Sequence, residues 1–235
     1  IVGDKGFRGV IINTEKLNQL QIQDNKIIAQ TGLTLTELAN TALENSLTGL
    51  EFASGIPGSL GGALYMNAGA YGGEIKHIVT QVTCLNQEGE KVKFSKEELQ
   101  LDYRNSILQH RPLIAVQATL QLKLGDQNKI KEKMEDLTEK RWAKQPMELP
   151  SAGSIFKRPE GYYAGALIDK ANLKGTNIGD AQVSTKHAGF IINRGQASAQ
   201  EVKDLINHIQ NTIYNKTGVK LETEPKLIGE FETKK

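Results

Sequence analysis

Residues 55–74, GIPGSLGGALYMNAGAYGGE, hold seven of the chain's 23 glycines, interrupted by Pro57 and without a charge before Glu74. Glycine inside regular structure costs roughly 0.5–1 kcal/mol relative to alanine, so this density implies that something approaches the main chain closely. Two readings fit: a tight-turn scaffold that packs segments together without side chains, or a cradle of backbone N–H groups around a phosphate-bearing cofactor. Four further stretches carry polar groups in unusual surroundings: DYRNS (102–106), PSAGSIFKRP (150–159), STKHAGF (184–190) and LETEPKLIGE (221–230). Singly, each has a plain structural reading, with Arg104 in a turn salt bridge, Ser154 as a cap and Glu224 as a solvated edge charge. Histidines 77, 110, 187 and 208 lack metal-ligand spacing, so no metal site is expected. Neither a Gly-x-Ser-x-Gly elbow nor a Walker loop is present.

Composition bounds what these groups can serve. With 235 residues, 38% hydrophobic and 24% charged, the chain can bury a real core in one large or two modest domains. No window approaches the roughly 18 apolar residues of a membrane span, so no membrane partner is expected. A formal charge of +2 with scattered lysines does not indicate nucleic acid, although a small anionic ligand remains compatible. Cys84 is the only cysteine, which excludes an internal disulfide, fits a reducing compartment and reads as buried filler. The opening IVGDKGFRGVIIN runs from an apolar pair into a turn and resembles a strand end entered mid-domain.

The elements that must position the polar groups are legible from periodicity. LQIQDNKIIAQTG (20–32) predicts two short strands around Asp24-Asn25. Residues 34–49 predict a helix with Leu35, Leu38, Ala39, Ala42 and Leu43 on one face and a capping box of Thr34 and Glu37. Residues 78–94 predict a hairpin turning at Gln87 to Glu90. Strict alternation over 113–124 predicts a long strand with Ile114, Val116, Ala118, Leu120, Leu122 and Leu124 on one buried face. A charged helix over 127–144 follows, striped by Ile130, Met134, Leu137 and Trp142. The prolines of QPMELPSAGS (145–154) mark a domain boundary. Beyond it come a helix over 164–173, strands near 181–184 and 189–193, a helix over 199–217 boxed by Ser198 and Glu201 and closed by Gly218, and a strand over 219–231. The fold class expected is α+β.

Taken together and in order, the glycine segment, YRNS, SAGSIFKRP, GALID, VSTKHAGFIIN and LETEPKLIGE resemble the bacterial UDP-N-acetylenolpyruvoylglucosamine reductases. The likeness runs from residue 1 to about 230, and GYYAGALI directly after the KRP turn resembles the shorter of the family's two types. Two departures stand out. The family's chain begins with a further flavin-binding lobe ending in a Gly-x-Gly-Ser-Asn loop, and Ile1-Val2 reads as starting just past it. The last motif carries Pro225-Lys226 where the family often has Val-Arg.

The resemblance implies part of an FAD-binding domain of the vanillyl-alcohol-oxidase/PCMH type over 1–147, a substrate-binding domain over 148–220, and a terminal strand and tail over 221–235 returning toward the first. It implies FAD against Gly55, Ile56, Pro57, Gly58, Gly61, Gly62, Asn67, Gly69 and Ala70, with NADPH as co-substrate. The implied substrate is UDP-N-acetylglucosamine enolpyruvate, with Tyr103, Arg141, Lys144 and Lys157 as candidate binding groups. It further implies that Arg104 and a protonated, buried Glu224 meet charge growing on the enolpyruvyl carboxylate, and that Ser154 supplies a proton. A monomer in the cytoplasm is expected, with an exposed apolar patch near residues 1–12 and 55–75. Two alternatives stay open: a flavin oxidase of the same broad fold, and a non-catalytic flavin or sugar-nucleotide binding module.

Overall fold

The computed structural model describes residues 1–232, and its packing divides into two compact units, residues 12–140 and residues 1–11 with 141–235. The first is built on a five-stranded antiparallel sheet in the order β1-β2-β8-β6-β7, formed by β1 Leu20–Gln23, β2 Lys26–Gln30, β6 Val79–Leu85, β7 Lys91–Ser95 and β8 Ile114–Gln121. Asp24, at φ 52°, makes the β1-β2 turn. Helix α1, Leu35–Glu44, carries the expected capping box and packs Leu35, Leu38, Ala39 and Ala42 into the core. It is shorter than its sequence suggests. Ser46 turns left-handed at φ 55°, and β3, Leu47–Thr48, leaves to pair with β9, Lys123–Leu124.

That pairing also breaks the strand expected over 113–124. β8 stops at Gln121, and Leu124 lies 78% exposed. At the other end, a register shift against Thr83-Cys84 sets Cys84 opposite Ala115 rather than Val116. A one-residue slip exchanges the two faces of a strand, so Ala115 is buried and Ile114 exposed. Cys84 is fully buried, and desolvation raises its thiol pKa to about 11, which leaves it inert at neutral pH. Helix α2, Leu60–Met66, and the two-stranded β4 (Gly69–Ala70) and β5 (Gly73–Glu74) contain most of the glycine-rich segment. Helix α3, Gln127–Lys144, buries Ile130, Met134, Leu137 and Arg141, while Trp142 is 53% exposed. Arg141, not Trp142, continues the stripe because it lies four residues beyond Leu137 and seven beyond Met134.

The second unit holds a four-stranded antiparallel sheet, β10-β13-β12-β11, made of β10 Ser151–Ser154, β11 Asn177–Ile178, β12 Ala181–Val183 and β13 Phe190–Asn193. Helix α4, Ala164–Lys170, and helix α5, Ala199–Thr217, supply its core with Leu167, Ile168, Leu205, Ile206, Ile209 and Ile213. The Ser198-Glu201 box starts α5, and Gly218 at φ 72° ends it.

Residues 219–231 do not form the expected strand. The segment makes two short bridges instead, Phe156 to Thr223 and Val2 to Ile228. Pro225 lacks a donor, and Gly229 turns at φ 80° so closely against Gly6 that a Cβ would sit 2.4 Å from its carbonyl oxygen. This second bridge is why residues 1–11 pack with the C-terminal unit: Gly3 and Lys5 donate to the carbonyls of Ile228 and Glu230 at 2.9 and 3.1 Å. Phe7, Val10, Ile11 and Ile12 are exposed, as expected for that stretch.

Asp4 ties the N-terminal segment to α5, its carboxylate accepting from Ala199 N–H at 2.7 Å and Gln200 N–H at 2.9 Å. These are first-turn donors with no intrahelical acceptor. Asp4→Ala is expected to cost about 1 kcal/mol, read as a lower urea midpoint, with Asp4→Asn losing less. An unchanged midpoint for Asp4→Ala would mean that the cap contributes nothing in solution.

Candidate active site

The glycine segment separates into positions explained by the chain itself and positions that are not. A Cβ on Gly69 would lie 2.6 Å from the Gly73 carbonyl oxygen, one on Gly73 2.4 Å from Phe52, and one on Gly61 3.2 Å from the Thr31 carbonyl oxygen. These are close approaches within the scaffold. Gly58 sits at φ 127°, a conformation that side chains rarely adopt. Gly62 is different. It is exposed on the first turn of α2, its φ is not positive, and a Cβ would meet only Ser59 Oγ at 3.8 Å. Nothing among the described residues requires glycine there, although glycine in a helix is costly.

The backbone donors sort in the same way. Leu60 and Gly61 donate to the carbonyls of Leu33 and Thr31, both at 2.8 Å, and Gly62 donates to Ser59 Oγ at 3.3 Å, so the start of α2 is satisfied internally. The N–H groups of Gly55, Gly58 and Ser59 find no partner among the described residues. An open glycine face beside uncommitted N–H donors fits the polar edge of a flavin or its pyrophosphate, so this segment passes as a site for FAD.

Asn67 departs from a direct binding role for its side chain. It is 1% exposed and left-handed at φ 43°. Its Nδ2 donates to Glu74 Oε2 at 3.0 Å and the Asp102 carbonyl at 2.9 Å, while Oδ1 accepts from Lys76 N–H at 2.9 Å. Burial works to raise the Glu74 pKa, but hydrogen bonds from Lys76 and Asn67 and the charges of Lys76 and His77 outweigh it and hold the carboxyl low.

Arg104 is brought to this same segment. Its Nη2 lies 3.5 Å from the Gly69 carbonyl oxygen, and its guanidinium lies 5.2 Å from the centre of the exposed Tyr103 ring. Arg104 itself is left-handed at φ 51°, inside a turn closed by the reciprocal hydrogen bonds of Asp102 and Asn105.

The second unit assembles Ser154, Lys157 and Glu224. β10 and the residues after it lie between two partners: Ile155 N–H donates to the Gly189 carbonyl at 2.9 Å, and on the other side Glu224 N–H donates to the Ile155 carbonyl at 2.8 Å. The chain thereby sets Glu224, seventy residues along, against the residue following Ser154. Among the described residues Ser154 Oγ makes one long bond, 3.4 Å, to the Phe156 carbonyl. Lys157 Nζ is paired with Glu222 at 2.5 Å. Glu224 is only half-buried, short of the burial expected for it. Arg141, 9% exposed, reaches Gln145 Oε1 with Nη1 at 3.5 Å, and Lys144, one turn along, is exposed.

Beside Ser154, Gly189 is flanked by the ring of His187. A Cβ on Gly189 would lie 3.0 Å from that ring and 3.7 Å from Ser154 Oγ. His187 Nδ1 accepts from Gly189 N–H at 3.1 Å, so the neutral ring carries its proton on Nε2. Desolvation, aided by the positive charge of Lys174, pushes its pKa down and keeps it neutral at physiological pH. Ser59 and Gln109, whose contacts involve the glycine segment and the Arg104 turn, were not singled out from sequence; an isolated serine or glutamine carries no spacing signal.

Among the described residues no group of three metal-binding side chains gathers, and no helix is long and apolar enough to cross a membrane.

Comparison with known proteins gives a consistent result. Residues 145–228 match the family model of the UDP-N-acetylenolpyruvoylglucosamine reductase C-terminal domain, and residues 1–95 match an FAD binding domain. The chain is 51% identical over 230 residues to a curated UDP-N-acetylenolpyruvoylglucosamine reductase of Clostridium novyi and 46% identical to that of Staphylococcus aureus. Each match covers 98% of this chain and 75% of the relative, so the chain spans about three quarters of their length. A crystal structure of the enzyme from Thermus caldophilus aligns with a TM-score of 0.76 at 34% identity, over 88% of this chain and 74% of that one.

Proposed function

Because the chain belongs to the UDP-N-acetylenolpyruvoylglucosamine reductase family, we propose that it reduces the enolpyruvyl ether of UDP-N-acetylglucosamine enolpyruvate to the lactyl ether of UDP-N-acetylmuramate, a precursor of peptidoglycan. FAD, once bound, supplies the hydride and is itself reduced by NADPH. Its polar edge fits the N–H donors of Gly55, Gly58 and Ser59 and the open face at Gly62, and we assign Ile56, Pro57, Gly61, Gly69, Ala70 and the backbone of Asn67 to the same surface.

Addition of hydride to the methylene carbon pushes an electron pair toward the adjacent carbon and its carboxylate. Arg104 suits that charge because a guanidinium stays protonated and donates in a planar fork that matches a carboxylate. Its left-handed backbone and its contact with Gly69 hold the side chain beside the glycine segment before any charge develops, which is the preorganisation that electrostatic catalysis requires. Glu224 is assigned, in its protonated form, to donate a hydrogen bond to the same developing charge. Ser154 then transfers its hydroxyl proton to the adjacent carbon; a hydroxyl is a weak acid, but an enediolate is a strong base. Tyr103, Arg141, Lys144 and Lys157 are assigned to the sugar nucleotide, with Lys157 exchanging its Glu222 partner for phosphate. The chain acts in this reading as a monomer in the cytoplasm, where NADPH and nucleotide-activated sugars are made.

The observation that carries the reading is the open glycine face with uncommitted donors in the same unit as a preset Arg104. Anaerobic mixing of the FAD-loaded full-length protein with NADPH is expected to bleach the flavin absorbance, and UDP-N-acetylglucosamine enolpyruvate to restore it. Failure to bleach would favour an oxidase using another donor or a binding module. Bleaching without recovery on adding this substrate would place the enzyme on a different acceptor.

A further inference from the structure

The turn that presents Arg104 is strained, and the structure shows what holds it. A bulky residue in the left-handed region is sterically disfavoured, and Arg104 sits there at φ 51°, so a free turn would relax and swing the guanidinium away. Two side-chain amides oppose this. Asn67 Nδ2 donates to the Asp102 carbonyl at 2.9 Å, on one side of the turn. Gln109 Nε2 donates to the Arg104 carbonyl at 3.0 Å, on the other, and also to the Tyr65 carbonyl at 2.8 Å. Ser106, fully buried, adds a hydrogen bond from Oγ to the same Tyr65 carbonyl at 2.8 Å. Tyr65 belongs to α2, and Asn67 is the residue that caps its end. The helix whose first turn carries Gly62 and the turn that carries Arg104 are therefore locked into one body by polar contacts to backbone carbonyls.

We propose that Gln109 and Asn67 are positioning residues that hold Arg104 in its left-handed conformation, fixing the guanidinium relative to α2. The proposal rests on the reading of Arg104 as the group that meets the substrate's developing charge. Neither amide need touch substrate or cofactor. Each acts by tying down a carbonyl flanking the strained residue, so their loss lets the guanidinium wander without removing it. Misplacement of a catalytic group by about 1 Å can cost on the order of a hundredfold in rate.

The test uses Gln109→Met, which keeps the length of the side chain and removes its donor, beside Arg104→Ala, both in the FAD-loaded full-length protein. Gln109→Met is expected to slow flavin recovery by the enolpyruvyl substrate roughly 10- to 100-fold while leaving bleaching by NADPH and the melting temperature near wild type. Hydrogen exchange at Asn105, whose N–H bonds the Asp102 carbonyl at 3.1 Å, should quicken in the same variant. Wild-type recovery in Gln109→Met together with slow recovery in Arg104→Ala overturns the positioning role alone. Wild-type recovery in Arg104→Ala overturns the Arg104 reading and this proposal with it. Equal slowing of both half-reactions with a lowered melting temperature marks Gln109 as merely structural and also sinks the proposal. Should Gln109→Met fail to fold, Gln109→Asn, which withdraws the amide from the Arg104 carbonyl by one methylene, is judged by the same half-reactions.

Discussion

Replacing Ser154 by alanine in the full-length protein is expected to leave FAD content and bleaching by NADPH nearly unchanged while slowing flavin recovery by the enolpyruvyl substrate at least 10²- to 10⁴-fold, the usual worth of a general acid. The hydroxyl takes part only after hydride has reached the substrate, so its loss should be silent in the first half-reaction. The structure makes a structural explanation of such a result weak. Among the described residues Ser154 Oγ has a single 3.4 Å bond, to the Phe156 carbonyl, and the backbone of the next residue, Ile155, is held independently by Gly189 and Glu224. Losing a hydrogen bond of that kind costs about 1 kcal/mol or less of stability. Stopped-flow measurement of the two half-reactions decides the matter. Unaltered recovery would rule out Ser154 as the proton donor, and slowed bleaching would put it in the wrong half of the cycle.

Gly62→Ala is expected to stabilise the apo-protein and weaken its hold on FAD, two effects in opposite directions from one methyl group. In the exposed first turn of α2 the new Cβ would meet only Ser59 Oγ at 3.8 Å, an ordinary contact, and exchanging glycine for alanine in a helix is worth roughly 0.8–1 kcal/mol. Against a flavin lying on that face the same methyl would be an overpacked contact, costing roughly 1–3 kcal/mol, or about a 5- to 150-fold loss of affinity. Gly73→Ala supplies the contrast, because its Cβ would lie 2.4 Å from Phe52 and damage the fold whether or not FAD is present. Equilibrium titration with FAD and thermal melting of both variants read the two effects separately. Undiminished FAD affinity in Gly62→Ala would move the cofactor away from this helix.

Local order determined much of the chain in advance. The boxes Thr34-Glu37 and Ser198-Glu201 start their helices where the residue types require, and Gly218 ends α5, because caps act within a single turn and need no distant partner. The order of the motifs likewise pointed to the family that the comparisons show. Tertiary structure decided wherever a partner strand or a buried turn set the outcome. The register shift at Thr83-Cys84 chose Ala115 over Ile114 for the core, and pairing with β3 drew Leu124 to the surface, although alternation alone favoured the opposite in both cases. The terminal alternation over 219–231 reads like a strand but has two different partners, so it bends at Pro225 and Gly229 and sets Glu224 beside Ile155. The glycines of 55–74 look equivalent in sequence, yet only the fold separates Gly61, Gly69 and Gly73, which relieve internal crowding, and Gly58 and Gly72, which sit at positive φ, from Gly62, which does neither. The left-handed Arg104, and the amides of Asn67 and Gln109 that brace its turn, left no trace in composition or spacing. Side chains that hold backbone carbonyls from 5 to 35 residues away act through positions that only folding brings within 3 Å.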